Sequence, residues 1–299
     1  MERLDYIARH EKRLTVTGAP AGYDAYIAAE AARRRGQPVL FVARDDEAAE
    51  NAARAIRFFA PQAQLLSFPA WDCLPYDRVS PNGEITSRRI DALTRLAGRA
   101  DPRPAPLAGE GARRAPLFVV TTVNAVVQRV VPRQVFDGRV LAVGAGGRIG
   151  LDRLQGFFRN NGYTRTDTVR EPGEFAIRGG IVDLYPSGAA QPVRLDFFGD
   201  QVESLRTFDP LTQRSTGALD RLELKPVSEV LLDEPVIHRF RTRYRELFGN
   251  VGSDDALYES VSAGRRYAGM EHWLPLYYER LETLFDYLPG AGVSFDYQS

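Results

Sequence analysis

Residues 14–44 read LTVTGAPAGYDAYIAAEAARRRGQPVLFVAR: an apolar run, a turn holding Gly18, Pro20 and Gly22, an alanine-rich stretch and a second apolar run. This succession constrains the fold more than any other part of the chain. Alanine is the strongest helix former, and short apolar runs bounded by Gly and Pro read as strands. Two strands joined through a helix pair in parallel, because the crossover is long enough to carry the chain back to its starting end. The spacing predicts strands over 14–17 and 38–43 flanking a helix near Ala25–Arg35. A strand, a glycine turn and a helix N-terminus together form the outline of a phosphate cradle.

The chemistry for phosphate is missing from that outline. A working GxxxxGK[ST] loop surrounds phosphates with backbone N–H groups, neutralises them with Lys and holds magnesium through Ser or Thr. Laid over Gly18, its last three positions fall on Tyr23, Asp24 and Ala25. Asp24 sets a negative charge beside the phosphates, and Ala25 has no oxygen for a metal. The chain's only lysines are Lys12 and Lys225. Gly18 and Gly22 therefore read as a tight turn, with at most weak anion attraction at the helix start. The expectation is a degenerate nucleotide loop with no catalytic residues.

Further strands are predicted at 64–68 and 117–121, alternating with helices in the manner of a parallel α/β sheet. Helix Glu47–Phe59 sets Ala48, Ala52, Ala55 and Ile56 on one face. Helix Ile85–Leu96 turns Ile90, Leu93 and Leu96 inward, with Arg88 and Arg89 outward. The Pro/Gly/Arg-rich segment 99–116 reads as a mobile surface loop with solvated arginines. From about residue 135 the pattern becomes α+β. A short amphipathic helix closes at Asn161-Gly162 and is followed by two long strand-like segments, GEFAIRGGIVDLYP and VRLDFFGDQVESLRTFD. Gly199-Asp200 fits a tight hairpin turn in the second. Helices return after about 220. The closing GVSFDY reads as a strand, so the chain is expected to be a piece of a longer protein.

Composition narrows the function classes. The 299 residues are enough for two domains, or for one domain with an insertion. Lys+Arg and Asp+Glu both number 39, which argues against a basic nucleic-acid module. A single cysteine, Cys73, permits no intrachain disulfide and fits a reducing cytoplasm. No apolar run is long enough for a membrane span. His10, His238 and His272 are scattered without ligand spacing, so no metal site is expected. Cys73 has no obvious histidine partner, and the WDCLPYDRVSPNGE stretch around it reads as a packed connector. Trp273, Tyr277 and Tyr278 read as packing aromatics rather than a base-stacking platform.

Strand alternation supplies the sharpest clue. In PVRLDFFGD, Val193, Leu195 and Phe197 form an apolar side that should pack on the 151–161 helix. Arg194, Asp196 and Phe198 share the other side. In EFAIRGG the same rule turns Arg178 outward, and Gly179-Gly180 makes a bulge or bend after it. Two arginines and an aromatic ring on one face are the residue types of protein–protein hot spots. The competing reading pairs Arg194 internally with Asp196, Glu174 or Glu203.

Five ordered motifs carry a family resemblance across nearly the whole chain: GAPAGYDAYIAAEAA (18–32), FPAWDCLPYDRVSPNGEITSRRIDAL (68–93), REPGEFAIRGGIVDLYPSG (170–188), RLDFFGDQVESLRTFDPLTQRS (194–215) and GMEHWLPLYY (269–278). The sequence resembles the amino-terminal UvrB-homology region of bacterial transcription-repair coupling factors, the Mfd family; 99–116 departs as a local insertion. The resemblance implies a RecA-like α/β domain with a degenerate P-loop in two sequence pieces, 1–134 and 221–299. It implies an inserted α+β UvrA-binding domain at 135–220, with Arg178, Arg194 and Phe198 as its UvrA contacts. It implies no cofactor in this segment, ATP and magnesium belonging to the parent's motor domains. In the parent, the partners are RNA polymerase, double-stranded DNA and its own carboxy-terminal domain, which covers the UvrA-binding face at rest. The segment would be catalytically silent in a parent that is an ATP-dependent DNA translocase displacing stalled polymerase. The alternatives are an ATP-dependent UvrB- or helicase-like DNA-handling enzyme, or direct DNA binding through the surface arginines. On the first reading, Arg194→Ala and Phe198→Ala leave the fold intact and weaken UvrA capture.

Overall fold

The computed structural model describes residues 6–7, 10, 13–99, 115–249 and 254–296. Along the chain run α1 (Tyr23–Arg35), β1 (Val39–Ala43), α2 (Asp46–Phe59), β2 (Gln64–Phe68), α3 (Gly83–Arg99) and β3 (Leu117–Thr122). β4 (Leu141–Gly144), α4 (Leu151–Asn160), β5 (Thr164–Arg165), β6 (Glu174–Arg178) and β7 (Ile181–Leu184) follow. β8 (Val193–Phe198), β9 (Gln201–Phe208), β10 (Ser215–Leu219), β11 (Arg221–Leu224), α5 (Glu234–Phe248), α6 (Ala256–Ser262) and β12 (Gly292–Phe295) complete the order.

Two compact units emerge: residues 1–70, 98–129 and 283–299, and residues 71–97 with 130–282. The first unit is built on a parallel sheet of order β12-β1-β3-β2. Every residue of β1 and β3 is buried, as expected for central parallel strands covered on both faces. The alanine faces of α1 and α2 let these helices lie close to Phe41, Phe118 and Val120 in one apolar cluster. The fourth strand is not the one the sequence predicts. Residues 14–17 form no strand, and Leu14 and Val16 are exposed. β1 already has a neighbour on each side, β3 and the late-arriving β12, so the 14–17 run has no open edge on β1 to join.

In the second unit a six-stranded sheet of order β10-β9-β8-β7-β6-β5 and the β4–β11 ribbon enclose a core with α4. Leu154 and Phe158 of α4 meet Val193, Leu195 and Phe197 as alternation predicts. The first long strand-like segment is instead a hairpin: Arg178 pairs with Ile181 across Gly179-Gly180. Gly179 has φ +59°, and a Cβ on Gly180 would stand 2.8 Å from the Phe197 carbonyl oxygen, so both positions need glycine. Gly199, φ +58°, turns β8 into β9.

The division into units differs from the expected sequence pieces, grouping 71–97 and 221–282 with the 135–220 segment. Buried polar contacts explain the grouping. Arg89 of α3, expected to face outward, is fully buried and donates through Nε to Glu229 at 2.6 Å. Its guanidinium also lies over Trp71, whose Nε1 reaches the same carboxylate. Two residues to either side on the helix, Asp91 pairs with Lys225, and the Gly188 N–H donates to Ser87. A partnered arginine can be buried where helical periodicity alone places it in solvent. The predicted 99–116 loop falls almost entirely outside the described residues.

Candidate partner-binding site

At the start of α1 the degenerate loop keeps glycine geometry, with φ +69° at Gly18 and +80° at Gly22, the N-cap. The Asp24 carboxylate accepts the Ala25 N–H at 2.8 Å. A side chain of this protein thus occupies a helix-start donor that a bound phosphate would use. Tyr23 lies against Tyr26, with ring centroids 5.6 Å apart. The loop has lost its strand as well as its lysine and hydroxyl.

The outer face of the six-stranded sheet is organised around one carboxylate. β7 lies between β6 and β8, and Asp183 is opposite Ala176 on one side and Arg194 on the other. Asp183 is 1% exposed. Its Oδ1 accepts from Arg194 Nε at 2.6 Å, while Oδ2 accepts from an Arg194 terminal nitrogen at 2.9 Å and from Arg178 at 2.5 Å. Arg194 is therefore held by a two-bond fork, and its guanidinium also lies 5.0 Å from the Phe208 ring. The hydrogen bond to Asp183 lifts Arg194 further above its already high ordinary pKa, against the effect of burial. The Arg178 side chain remains 55% exposed and that of Arg194 20%.

Beyond this pair lie Asp196 and Phe198. Burial alone would raise the Asp196 carboxyl, but hydrogen bonds from Ser204 and Arg206 outweigh it and hold the group below the ordinary carboxylate value. Phe198 is 76% exposed, an aromatic side chain held mostly in solvent. Ile181, whose register partner is Asp196, adds a second exposed apolar side chain on this face. Nearer β5, Val169, Ala176 and Phe208 are buried together, so part of the face is closed and part open.

The structure thus brings Arg178 and Arg194 together and leaves Phe198 displayed further along β8. It corrects the internal pairing the sequence offered: the partner is Asp183, not Asp196, Glu174 or Glu203. Arg194→Ala removes two of the three hydrogen bonds to a buried carboxylate, so a cost in stability is expected beside any loss of binding. Asp183 is the residue that sequence reasoning missed. Its signal was a lone carboxylate inside the apolar run IVDLY, two strands' worth of arginine beside it.

Cys73 and the aromatic tract at 273–278 are the other places where the sequence raises chemistry. Cys73, expected to lack a histidine partner, has His272 Nε2 at 3.8 Å, and that nitrogen is also 3.1 Å from the Val79 carbonyl oxygen. Burial, then the charges of Asp72, Asp77 and Glu271, push the thiol pKa up, the opposite of what a thiolate nucleophile needs. Tyr277 and Tyr278 are buried, in keeping with a packing role. Among the described residues no three His, Cys, Asp or Glu side chains are grouped to hold a metal, and no helix is long and apolar enough to cross a membrane.

Residues 141–229, the segment that carries this face, match the family described as the UvrB interaction domain. The same chain is 34% identical over 279 residues to a transcription-repair-coupling factor of Haemophilus influenzae, covering 93% of this chain and 23% of the relative. Its counterpart in Escherichia coli is 35% identical over 283 residues, 94% of this chain and 23% of that protein. The one from Mycobacterium bovis is 32% identical over 272 residues, 89% and 21%. The chain matches the amino-terminal segment of these transcription-repair-coupling factors. It spans just under a quarter of the length of the curated relatives it matches. The matched interaction domain overlaps the predicted inserted domain and contains Arg178, Asp183, Arg194 and Phe198.

Proposed function

We propose that this chain is the UvrA-capturing module of a transcription-repair-coupling factor, and that Arg178, Arg194 and Phe198 are its contact residues. The observation that carries the reading is Phe198, a phenyl ring 76% exposed inside a UvrB interaction domain, on the same sheet face as two arginines fixed by a buried carboxylate. Single exposed apolar side chains are ordinary on a protein surface; Phe198 is set apart by the two arginines on its face, the residue types that dominate binding energy when a partner covers them. Arg178 retains donors for a carboxylate or carbonyl on UvrA.

The segment itself is catalytically silent on this reading, and its work is recruitment. The whole protein would couple an ATP-driven motor on double-stranded DNA to displacement of stalled RNA polymerase, and this face would bring the excision machinery to the lesion. Masking by the protein's own carboxy-terminal domain would make capture conditional, and UvrA would then favour the open form by the same free energy. Calorimetric titration of the chain with UvrA, beside a titration with ATP and magnesium, tests the proposal. It predicts saturable UvrA binding that Phe198→Ala weakens. Binding and turnover of ATP by this chain, or UvrA affinity unchanged in folded Phe198→Ala, would overturn it.

A further inference from the structure

Resting on the docking reading, the geometry assigns Asp183 the part of a positioning residue: it sets both guanidiniums for the partner and makes no contact with the partner itself. At 1% exposure it is out of a partner's reach. Three donors converge on its two oxygens, from Arg194 Nε and a terminal nitrogen of each arginine. The arrangement follows from register. Arg194 is directly across the ladder on β8, whereas Arg178 reaches over from the end of β6, two residues beyond Asp183's own partner Ala176. The hairpin at Gly179-Gly180 makes that reach possible, because the close approach of Gly180 to the Phe197 carbonyl draws the turn against β8.

The two cations are not equivalent in this arrangement. Arg194 is forked onto Asp183 and stacked near Phe208, with little of its side chain exposed. Arg178 spends one nitrogen on Asp183 and keeps more than half of its side chain in solvent. A long, free arginine loses rotamer freedom when a partner immobilises it; one already tethered has lost much of it on folding. Asp183 thereby moves part of the ordering cost out of the binding step. It also cancels one of the two positive charges, so charge and order pull in opposite directions. This opposition makes the assignment testable by sign. If the arginines acted only through positive potential, neutralising Asp183 would strengthen attraction to an acidic partner surface. If they act through fixed geometry, it weakens capture.

The test is Asp183→Asn in the whole chain, with Phe198→Ala as companion and UvrA as the titrant. The expected result is a fall in affinity of about tenfold for Asp183→Asn, the ordering of two arginine side chains returned to the binding step. Side-chain 15N spectra of the folded variant should show averaged Nη–Hη signals for Arg178 and Arg194 where the wild type shows distinct, slowly exchanging ones, because each arginine donates to Asp183 through a terminal nitrogen. Equal or tighter binding by folded Asp183→Asn, with Phe198→Ala impaired, would overturn the positioning role while leaving the docking face standing. Full affinity in both variants would overturn the docking reading itself. Should Asp183→Asn fail to fold, the wild-type spectrum decides: distinct guanidinium signals for both arginines uphold the assignment, and averaged ones overturn it.

Discussion

The turn at residues 18–25 and the outer face of β6–β8 both present side chains to solvent from well-formed backbone, and they do opposite things with them. At the turn, glycine geometry and the helix start persist, but Asp24 takes an N–H for itself and the preceding strand is absent. On the sheet face, β6, β7 and β8 form an antiparallel ladder, with a register shift against β9 at Asp196/Phe197, and the chemistry lies in side chains: a buried acid, two tethered bases and an exposed ring. A nucleotide site depends on backbone outline and chemistry together, so losing either ends its function. A docking face depends on which side chains alternate outward, so it can be built on any strand whose other side is buried.

The contrast breaks most readily at Phe198. Phe198→Ala should lower affinity for UvrA by about 30-fold, ~2 kcal/mol, with little loss of thermal stability because three quarters of the residue is already in solvent; calorimetry and a melting curve read the two separately. Next comes Arg194→Ala, which should weaken binding and cost the chain about 2 kcal/mol of stability, less than the ~3 kcal/mol or more of a fully unpartnered buried charge because Arg178 remains on Asp183. Urea unfolding followed by tryptophan fluorescence measures it; an unchanged midpoint would mean that the Asp183 fork carries no weight. In the turn, Asp24→Ala should cost only about 0.5 kcal/mol, the worth of an exposed anion at a helix start, and leave UvrA binding unaltered.

The smallest effect concerns pH. The folded Asp196 carboxyl lies below its ordinary value, so its contribution is complete above about pH 4 and is lost as the pH falls through the folded value. Protection of the β8–β9 turn amides, taken relative to their intrinsic exchange rates, should therefore fall only under distinctly acid conditions, and Asp196→Asn should abolish that dependence. A loss of protection near neutral pH would point to a different group.

Much of this was legible in the sequence where one periodicity governs. The alternation in PVRLDFFGD placed Phe198 outside and Leu195 inside, and the alanine faces of α1 and α2 foretold close helix–sheet contact. Long-range partners were not legible. The run LTVT has strand composition, yet the sheet position beside β1 went to GVSF at 292–295, far along the chain, which no local pattern ranks ahead of it. Arg89 carries a surface residue's composition, but Glu229 and Trp71 meet it only once α3 has docked. His272 met Cys73 in the same way. Asp183 was hidden by register: until Gly179-Gly180 is known to be a hairpin, nothing sets that carboxylate between two arginines.

Hydrogen–deuterium exchange of the intact chain, with and without saturating UvrA, addresses the docking face without altering a residue. Slowed exchange concentrated in 178–183 and 194–202, with the 18–25 turn unaffected, is the predicted footprint. Protection at the turn or elsewhere, with the β6–β8 strands exchanging as they do alone, would contradict it.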